Sequence, residues 1–170
     1  MFGSNSDAIL IRMFDITFSI LGLITLSPVI IILLILGFLD TGSPIFRQER
    51  VGRYQKPFIL LKFRSMHLNT SAKATHLANH SEITLFGRFL RNSKLDEIPQ
   101  LWNVLIGEMS LVGPRPCLYN QTELIEKRVN KNVYIHRPGI TGLAQISGID
   151  MSQPGLLAKT DSKMLQSLTL

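Results

Sequence analysis

Between Asp15 and Asp40 the chain runs for 24 residues, Ile16 to Leu39, without a charge, and only Thr17, Ser19, Thr25 and Ser27 carry hydroxyls there. About 20 apolar residues suffice to carry a helix across a hydrocarbon core, so this is membrane-segment length. The run is too long for a signal-peptide core and no small-residue cleavage site follows Leu39, so it is read as retained. Length alone favours one spanning helix. Ser27-Pro28, at the middle of the run, argues otherwise, because proline lacks an N–H and clashes with the preceding turn. Each half then reaches about 18 Å, short of a core of about 30 Å, and a sharp break returns the chain to the side it entered. A mild kink, with the serine hydroxyl re-satisfying a freed carbonyl, still permits a crossing. Arg12 precedes the segment and Arg47, Arg50 and Arg53 follow it, so both flanks read as cytoplasmic and favour a re-entrant, broken helix over about residues 13–39.

The remainder is a basic domain. Residues 1–40 hold one basic and three acidic residues, whereas the rest hold 17 basic and 9 acidic, so the positive charge belongs to residues 41–170. A chain of 170 residues suits one compact domain plus an appendage. A composition 45% hydrophobic and 18% charged excludes disorder and exceeds what an ordinary soluble domain needs, so part of the apolar surface is expected to meet membrane lipid. The single cysteine, Cys117, excludes an internal disulfide and a cysteine zinc site and fits a reducing compartment. Nucleic acid is not an expected partner: the basic residues are scattered through apolar strands and helices, and no nucleic-acid module signature is present.

The periodicities predict an α+β fold. Pro44 to Arg50 and Pro57 to Ser65 read as strands joined by a turn at Gly52 to Lys56, a β-hairpin carrying Arg47, Arg50, Arg53, Lys56, Lys62 and Arg64. That charge is either a solvated face or a phosphate cradle. His67 to Ser81 reads as a mobile loop, and His67, His76 and His80 lack the accompanying carboxylate of a metal site. Leu85, Phe86, Phe89 and Leu90 define an amphipathic helix over Glu82 to Leu90, suited to a core or to the headgroup layer. Ile98, Leu101, Trp102 and Leu105 define a second, starting near Asp96 with Pro99 in its first turn. A third spans Gln121 to Asn130, and His136 to Gly142 then reads as tight turns and short strands.

Acidic residues at a helix start are most often structural, favoured by the exposed amides and the dipole. Asp96 and Glu97, adjacent on a helix, make a poor glycosidase dyad, which needs two carboxyls facing one bond across about 5 to 9 Å. A carboxylate in that position does suit phosphoryl transfer, because the same amides attract the phosphate it would attack.

Three stretches settle which chemistry to expect: Lys94-Leu95-Asp96-Glu97-Ile98-Pro99-Gln100-Leu101-Trp102-Asn103-Val104-Leu105, Met109-Ser110-Leu111-Val112-Gly113-Pro114-Arg115-Pro116, and Arg137-Pro138-Gly139-Ile140-Thr141-Gly142. They closely resemble the bacterial sugar transferases known as monotopic phosphoglycosyl transferases. The resemblance extends to Arg47-Gln48-Glu49-Arg50-Val51-Gly52, Lys62-Phe63-Arg64-Ser65-Met66, Phe14-Asp15 and Ser27-Pro28, nearly the whole chain. It implies an enzyme on the cytoplasmic face of the bacterial inner membrane that moves a sugar 1-phosphate from a UDP-sugar to polyprenol phosphate, with Mg2+. It further implies an aspartyl phospho-sugar on Asp96, with Glu97 as partner and Asp96 also a metal ligand, and a membrane helix broken at Ser27 and Pro28. Such a step opens the assembly of a surface glycoconjugate, and a homodimer is compatible with it.

Lys62, Arg64, Arg91, Arg115 and Arg137 are the expected phosphate-binding residues, with Arg91 matching the family's phosphate-binding arginine. Arg115 stands between two prolines that restrict its backbone and suggest nucleotide contact, while Lys62, Arg64 and Arg137 are equally compatible with structural ion pairs. Family members usually continue past the position of Leu170 with a tyrosine- and aspartate-bearing stretch and a final helix, which this sequence is expected to lack. The competing reading is a membrane-anchored scaffold that holds anionic lipid without catalysis; turnover of a UDP-sugar separates the two.

Overall fold

The computed structural model describes residues 5–68, 70 and 82–168; His76, His80 and most of the expected loop lie outside them. The fold is α+β. Helices α1 (Asn5–Thr25) and α2 (Ser27–Thr41) precede a hairpin of β1 (Ile45–Val51) and β2 (Pro57–Phe63), followed by α3 (Leu85–Ser93), α4 (Gln100–Ile106), β3 (Ser110–Val112), α5 (Thr122–Val129), β4 (Gly139–Thr141), α6 (Leu143–Ile146) and α7 (Pro154–Leu168). Among the described residues one helical stretch, Asp7–Thr25, is long and apolar enough to cross a membrane.

Pro28 sets the break between α1 and α2. It cannot donate to the carbonyl four residues back, and the Ser27 hydroxyl donates to that Ile24 carbonyl instead, at 2.8 Å. Leu26 alone leaves helical geometry, at φ −89° and ψ 1°. Helix α2 ends at Gly42, whose left-handed φ of 72° lets its N–H reach the Phe38 carbonyl.

Both helices are fastened to one body. Arg12 donates to the Val104 and Leu105 carbonyls at 2.7 and 2.8 Å, and Asp15 accepts from the Ser110 hydroxyl and the Leu111 N–H at 3.0 and 2.9 Å. Gly22 faces Leu101 so closely that a Cβ would lie 3.0 Å from its Cδ1. On α2, Leu33 is buried with Phe63 and Leu90, and Asp40 accepts from Thr84, whose hydroxyl also caps α3 at the Gly87 N–H.

The hairpin pairs antiparallel from Ile45 opposite Phe63 to Val51 opposite Pro57. Phe58 and Leu60 are buried with Val104 and Met109, while Ile59 between them is exposed, the period of two that a half-buried strand requires. Strands β3 and β4 form a short parallel pair, Ser110 opposite Gly139 and Val112 opposite Thr141. There the Gly113 and Gly139 backbones touch, and a Cβ on Gly139 would overlap the Gly113 amide. A further core of Val51, Cys117, Leu124, Tyr134, Leu157 and Ala158 joins α5 and α7 to the hairpin.

Helix boundaries differ from the periodic reading at two places. Helix α3 begins at Leu85 rather than Glu82, because Thr84 caps it. Asp96 does not start α4: Leu95–Glu97 form a 3-10 turn, entered through Lys94 at φ 60°, and Pro99 stands immediately before Gln100. Helix α7 was not expected from the sequence.

Candidate active site

The turn carrying Asp96 is wedged between α3 and α4, and α4 is pinned to the hairpin by one side chain. Asn103 donates from Nδ2 to the Ile59 carbonyl at 2.7 Å and accepts at Oδ1 from the Leu61 N–H at 3.0 Å, filling the backbone edge of β2. Gln100, Asn103 and Val104 are the buried face of α4. Its apolar stripe turns the other way, with Leu101 against α1 and Trp102 half exposed. The helix thus has apolar contacts on two sides, Val104 with Phe58, Leu60 and Met109 and Leu101 with α1.

Asp96 is only 7% exposed, and its Oδ1 has no hydrogen-bond partner. Burial, then the adjacent Glu97, pushes its carboxyl above the ordinary range, while Lys62, Arg91 and Lys94 pull the other way. Glu97 accepts from Arg115 Nη2 at 2.8 Å. Arg91 donates from Nε to Ser65 Oγ at 2.8 Å, and burial holds its guanidinium below the usual value.

Lys62 is strongly displaced. Burial and then Arg50 push its ammonium down to about 8; Arg91 and Arg115 add repulsion and Asp96 opposes it. A narrow cleft is lined by Arg50, Lys62, Gln100, Arg115, Pro116 and Gly139. Arg50 donates to Gln48 Oε1 at 2.6 Å and to the Pro116 carbonyl at 3.2 Å, its Nε has no partner, and burial followed by Arg115 lowers it to about 10. Four cations therefore share one small volume with two carboxylates, one of them already paired.

The structure thus brings Lys62, Arg91, Arg115, Asp96 and Glu97 together. Arg64 donates from Nε to the Ser43 carbonyl at 2.8 Å, with its guanidinium over the Phe46 ring, which the Lys62 ammonium also approaches, and it is not among the charges that act on Asp96. Arg137 is also apart, donating to the Gly107 carbonyl at 2.8 Å and facing Arg53, Arg12 and Asp15. Sequence reasoning had placed Arg50 among the hairpin charges without singling it out, and had passed over Gln100 and Asn103. The signal was strand alternation: Gln48 and Arg50 are buried, Arg47 and Glu49 exposed.

Among the described residues no group of three or more His, Cys, Asp or Glu side chains forms a ready metal cage.

Residues 6–169 match a family model described as bacterial sugar transferase. The UDP-galactose-lipid carrier transferase of Erwinia amylovora is 40% identical over 161 residues, covering 85% of this chain and 34% of that protein. The undecaprenyl-phosphate galactose phosphotransferase of Salmonella typhimurium is 41% identical over 160 residues, 84% of this chain and 33% of that protein. An uncharacterized sugar transferase, EpsL, of Bacillus subtilis is 42% identical over 141 residues, 82% of this chain and 69% of that protein. The chain spans about a third of the length of the first two of these relatives. With the match running through α1, the Asp96 turn, the Arg115 segment and α7 alike, the chain belongs to the bacterial sugar transferase family.

Proposed function

We propose that the chain transfers a sugar 1-phosphate from a UDP-sugar to polyprenol phosphate and releases UMP, by way of a phospho-sugar held on Asp96. The observation that carries this reading is the buried Asp96 carboxylate, one oxygen of it without a partner, beside Lys62 and Arg91. In the first step that oxygen attacks the sugar-bearing phosphorus. The Asp96–phosphorus bond forms, the bond to the bridging oxygen breaks, and UMP leaves with the electron pair. In the second, a phosphate oxygen of the lipid attacks the same phosphorus, the carboxylate is restored, and a polyprenol diphosphate sugar results. Lys62, Arg91 and Arg115 hold the equatorial oxygens and the leaving phosphate. Names of relatives support the substrates: one is called an undecaprenyl-phosphate galactose phosphotransferase, another a UDP-glucose:undecaprenyl-phosphate glucose-1-phosphate transferase. The product would open assembly of a surface glycoconjugate.

The donor set also suits Mg2+, which takes one or two carboxylates and completes its shell with substrate phosphates and water. Asp96 and Glu97 would hold it, and when bound it would neutralise charge on the diphosphate. The two displaced groups agree with this. A cation beside the free Asp96 oxygen would reverse the upward shift of the carboxyl, and a phosphate beside Lys62 would reverse the downward shift of the ammonium.

Purified chain with a panel of UDP-sugars, Mg2+ and undecaprenyl phosphate is expected to release UMP from at least one donor; silence across the panel would overturn the reading. The same assay has a pH signature. Lys62 is cationic below about 8 and neutral above, so its attraction for the donor phosphates is present on the acid side and lost as pH rises through that value. The donor KM should therefore climb above about pH 8. A KM flat to about pH 10, where an ordinary lysine titrates, would remove Lys62 from the phosphate site.

The N-terminal segment is assigned a re-entrant placement in the cytoplasmic leaflet of the inner membrane. Arg12 at its start and Asp40 at its end both bond to the same body, and the exposed Leu85, Phe89, Trp102 and Ile106 extend the apolar surface of α1 and α2 onto α3 and α4. Single cysteines from Ala8→Cys and Lys56→Cys, in a Cys117→Ala background, should be labelled from one side of a sealed vesicle. Labelling from opposite sides would mean a spanning helix.

A further inference from the structure

A second group of cations gathers away from Asp96. Arg12 comes from α1, Arg53 from the hairpin turn and Arg137 from the approach to β4. Arg12 donates to the Val104 and Leu105 carbonyls, and Arg137 donates to the Gly107 carbonyl. A Cβ on Gly107 would lie 3.4 Å from Arg12 Nη2, so the two guanidinium groups flank the same end of α4. Arg53 donates from Nε to the Ile135 carbonyl at 2.7 Å, two residues before Arg137, and lies 4.7 Å over the Tyr54 ring.

Helix capping explains part of this arrangement, since arginines at a helix C-terminus satisfy its last carbonyls. It leaves the charge unexplained. All three side chains are half-buried, and none of them pairs with a carboxylate among the described residues. Asp15 is the acidic group facing Arg137; its Oδ1 serves Ser110 and Leu111 and its buried Oδ2 has no hydrogen-bond partner, so it offsets one of the three positive charges. Burial, then Arg53 and then Arg12, holds the Arg137 guanidinium below its usual value while Asp15 opposes them, and an anion would offset the part that is repulsion between the arginines. Among the described residues Arg53 and Arg137 each donate a hydrogen bond from Nε alone, which leaves their Nη nitrogens for the bidentate geometry that a phosphate accepts.

The surroundings identify what brings the phosphate. Arg12 lies within apolar helix α1, with exposed Ile9, Leu10 and Ile11 on its N-terminal side, and Trp102 and Ile106, on the helix that Arg12 caps, are half exposed, so the group adjoins apolar surface of α1 and α4. Under the re-entrant placement proposed above, on which this step rests, that place is the headgroup layer. The transferred lipid phosphate is not the occupant. It must reach Asp96, and the charges that act on Asp96 are Glu97, Lys62, Arg91 and Lys94, none of them in this group.

We infer that Arg12, Arg53 and Arg137 form a second anion site, which holds the headgroup phosphate of an anionic bilayer lipid and fixes the N-terminal helix against the hairpin turn. The site takes a phosphodiester at the membrane surface and takes no part in bond making.

The test is native mass spectrometry of the full chain in detergent, titrated with phosphatidylglycerol or phosphatidylcholine, a readout independent of turnover. One phosphatidylglycerol per chain should be retained in preference to phosphatidylcholine. Arg53→Gln combined with Arg137→Gln should abolish the preference, Arg53→Gln alone should weaken retention by about tenfold, and Arg91→Gln should leave it intact. The single variant keeps the test decisive if the double variant does not fold. Equal retention of both lipids, or retention untouched by Arg53→Gln, would overturn the site. Loss of the lipid in Arg91→Gln would assign it to the reaction centre, and complete displacement by millimolar inorganic phosphate would show that a free anion suffices and overturn the lipid assignment.

Discussion

Asp96→Asn should abolish two signals at once: the stoichiometric burst of UMP that appears without lipid acceptor, and the gain in protein mass equal to one sugar phosphate on the peptide containing residue 96. An amide cannot serve as the phosphoryl-accepting oxygen, and loss of a covalent nucleophile lowers turnover by about a thousandfold or more. The same change removes a charge that burial disfavours, so the variant should unfold no more easily than the parent. Melting and activity are thereby separated, which tells a chemical defect from a folding one. Glu97→Gln should behave differently. It weakens the ion pair with Arg115 and slows turnover, while the adduct still forms at Asp96. If UMP appears only with acceptor present and no adduct forms under any condition, direct transfer in a ternary complex is the better mechanism. Asp96 is then a metal ligand or a base.

Asp161→Ala should cost about 3 to 5 kcal/mol, a large share of the total stability of a chain this size. Arg128 and Asp161 are each 1% exposed, and two guanidinium nitrogens donate to one carboxylate oxygen at 2.9 and 2.7 Å. Removing the carboxylate strands a buried cation between α5 and α7. Arg128 also donates from Nη1 to the Arg115 carbonyl at 2.9 Å, so the damage reaches the arginine that holds Glu97. Replacing both partners, Arg128→Met with Asp161→Leu, should recover most of the melting temperature without restoring activity in full. A single variant that melts with the parent would show that the pair contributes nothing net.

Local chemistry was legible in the sequence; chemistry made by distant neighbours was not. The break fell where Pro28 removes a donor, and the hairpin fell where alternation and Gly52 called for it. The Asp96 turn was found as a place but misjudged as a helix start, because the left-handed Lys94 that resets the chain is not a residue that announces such a bend. Arg50 stayed hidden because its surface arginine neighbours look the same in a list of charges, and only the face of the strand separates them. The ion pair of Arg128 and Asp161 joins residues 33 apart and leaves no periodic trace. Arg64 shares a motif with Lys62 yet donates to the Ser43 carbonyl, and Arg137, in a motif of its own, donates to the Gly107 carbonyl.

The tethers of α1 carry a consequence for biogenesis. Asp15 meets Ser110 and Leu111 across sequence separations of 95 and 96 residues, and Arg12 meets its carbonyls after 92 and 93. At a synthesis rate of about 5 to 20 residues per second, that is a delay of about 5 to 20 s between making the helix and making its partners. Throughout that interval an arginine and an aspartate within one turn of each other on an apolar helix lack the partners that later satisfy them. Helix α1 is thus made well before the residues that fasten it, and translation through residue 111 times that fastening.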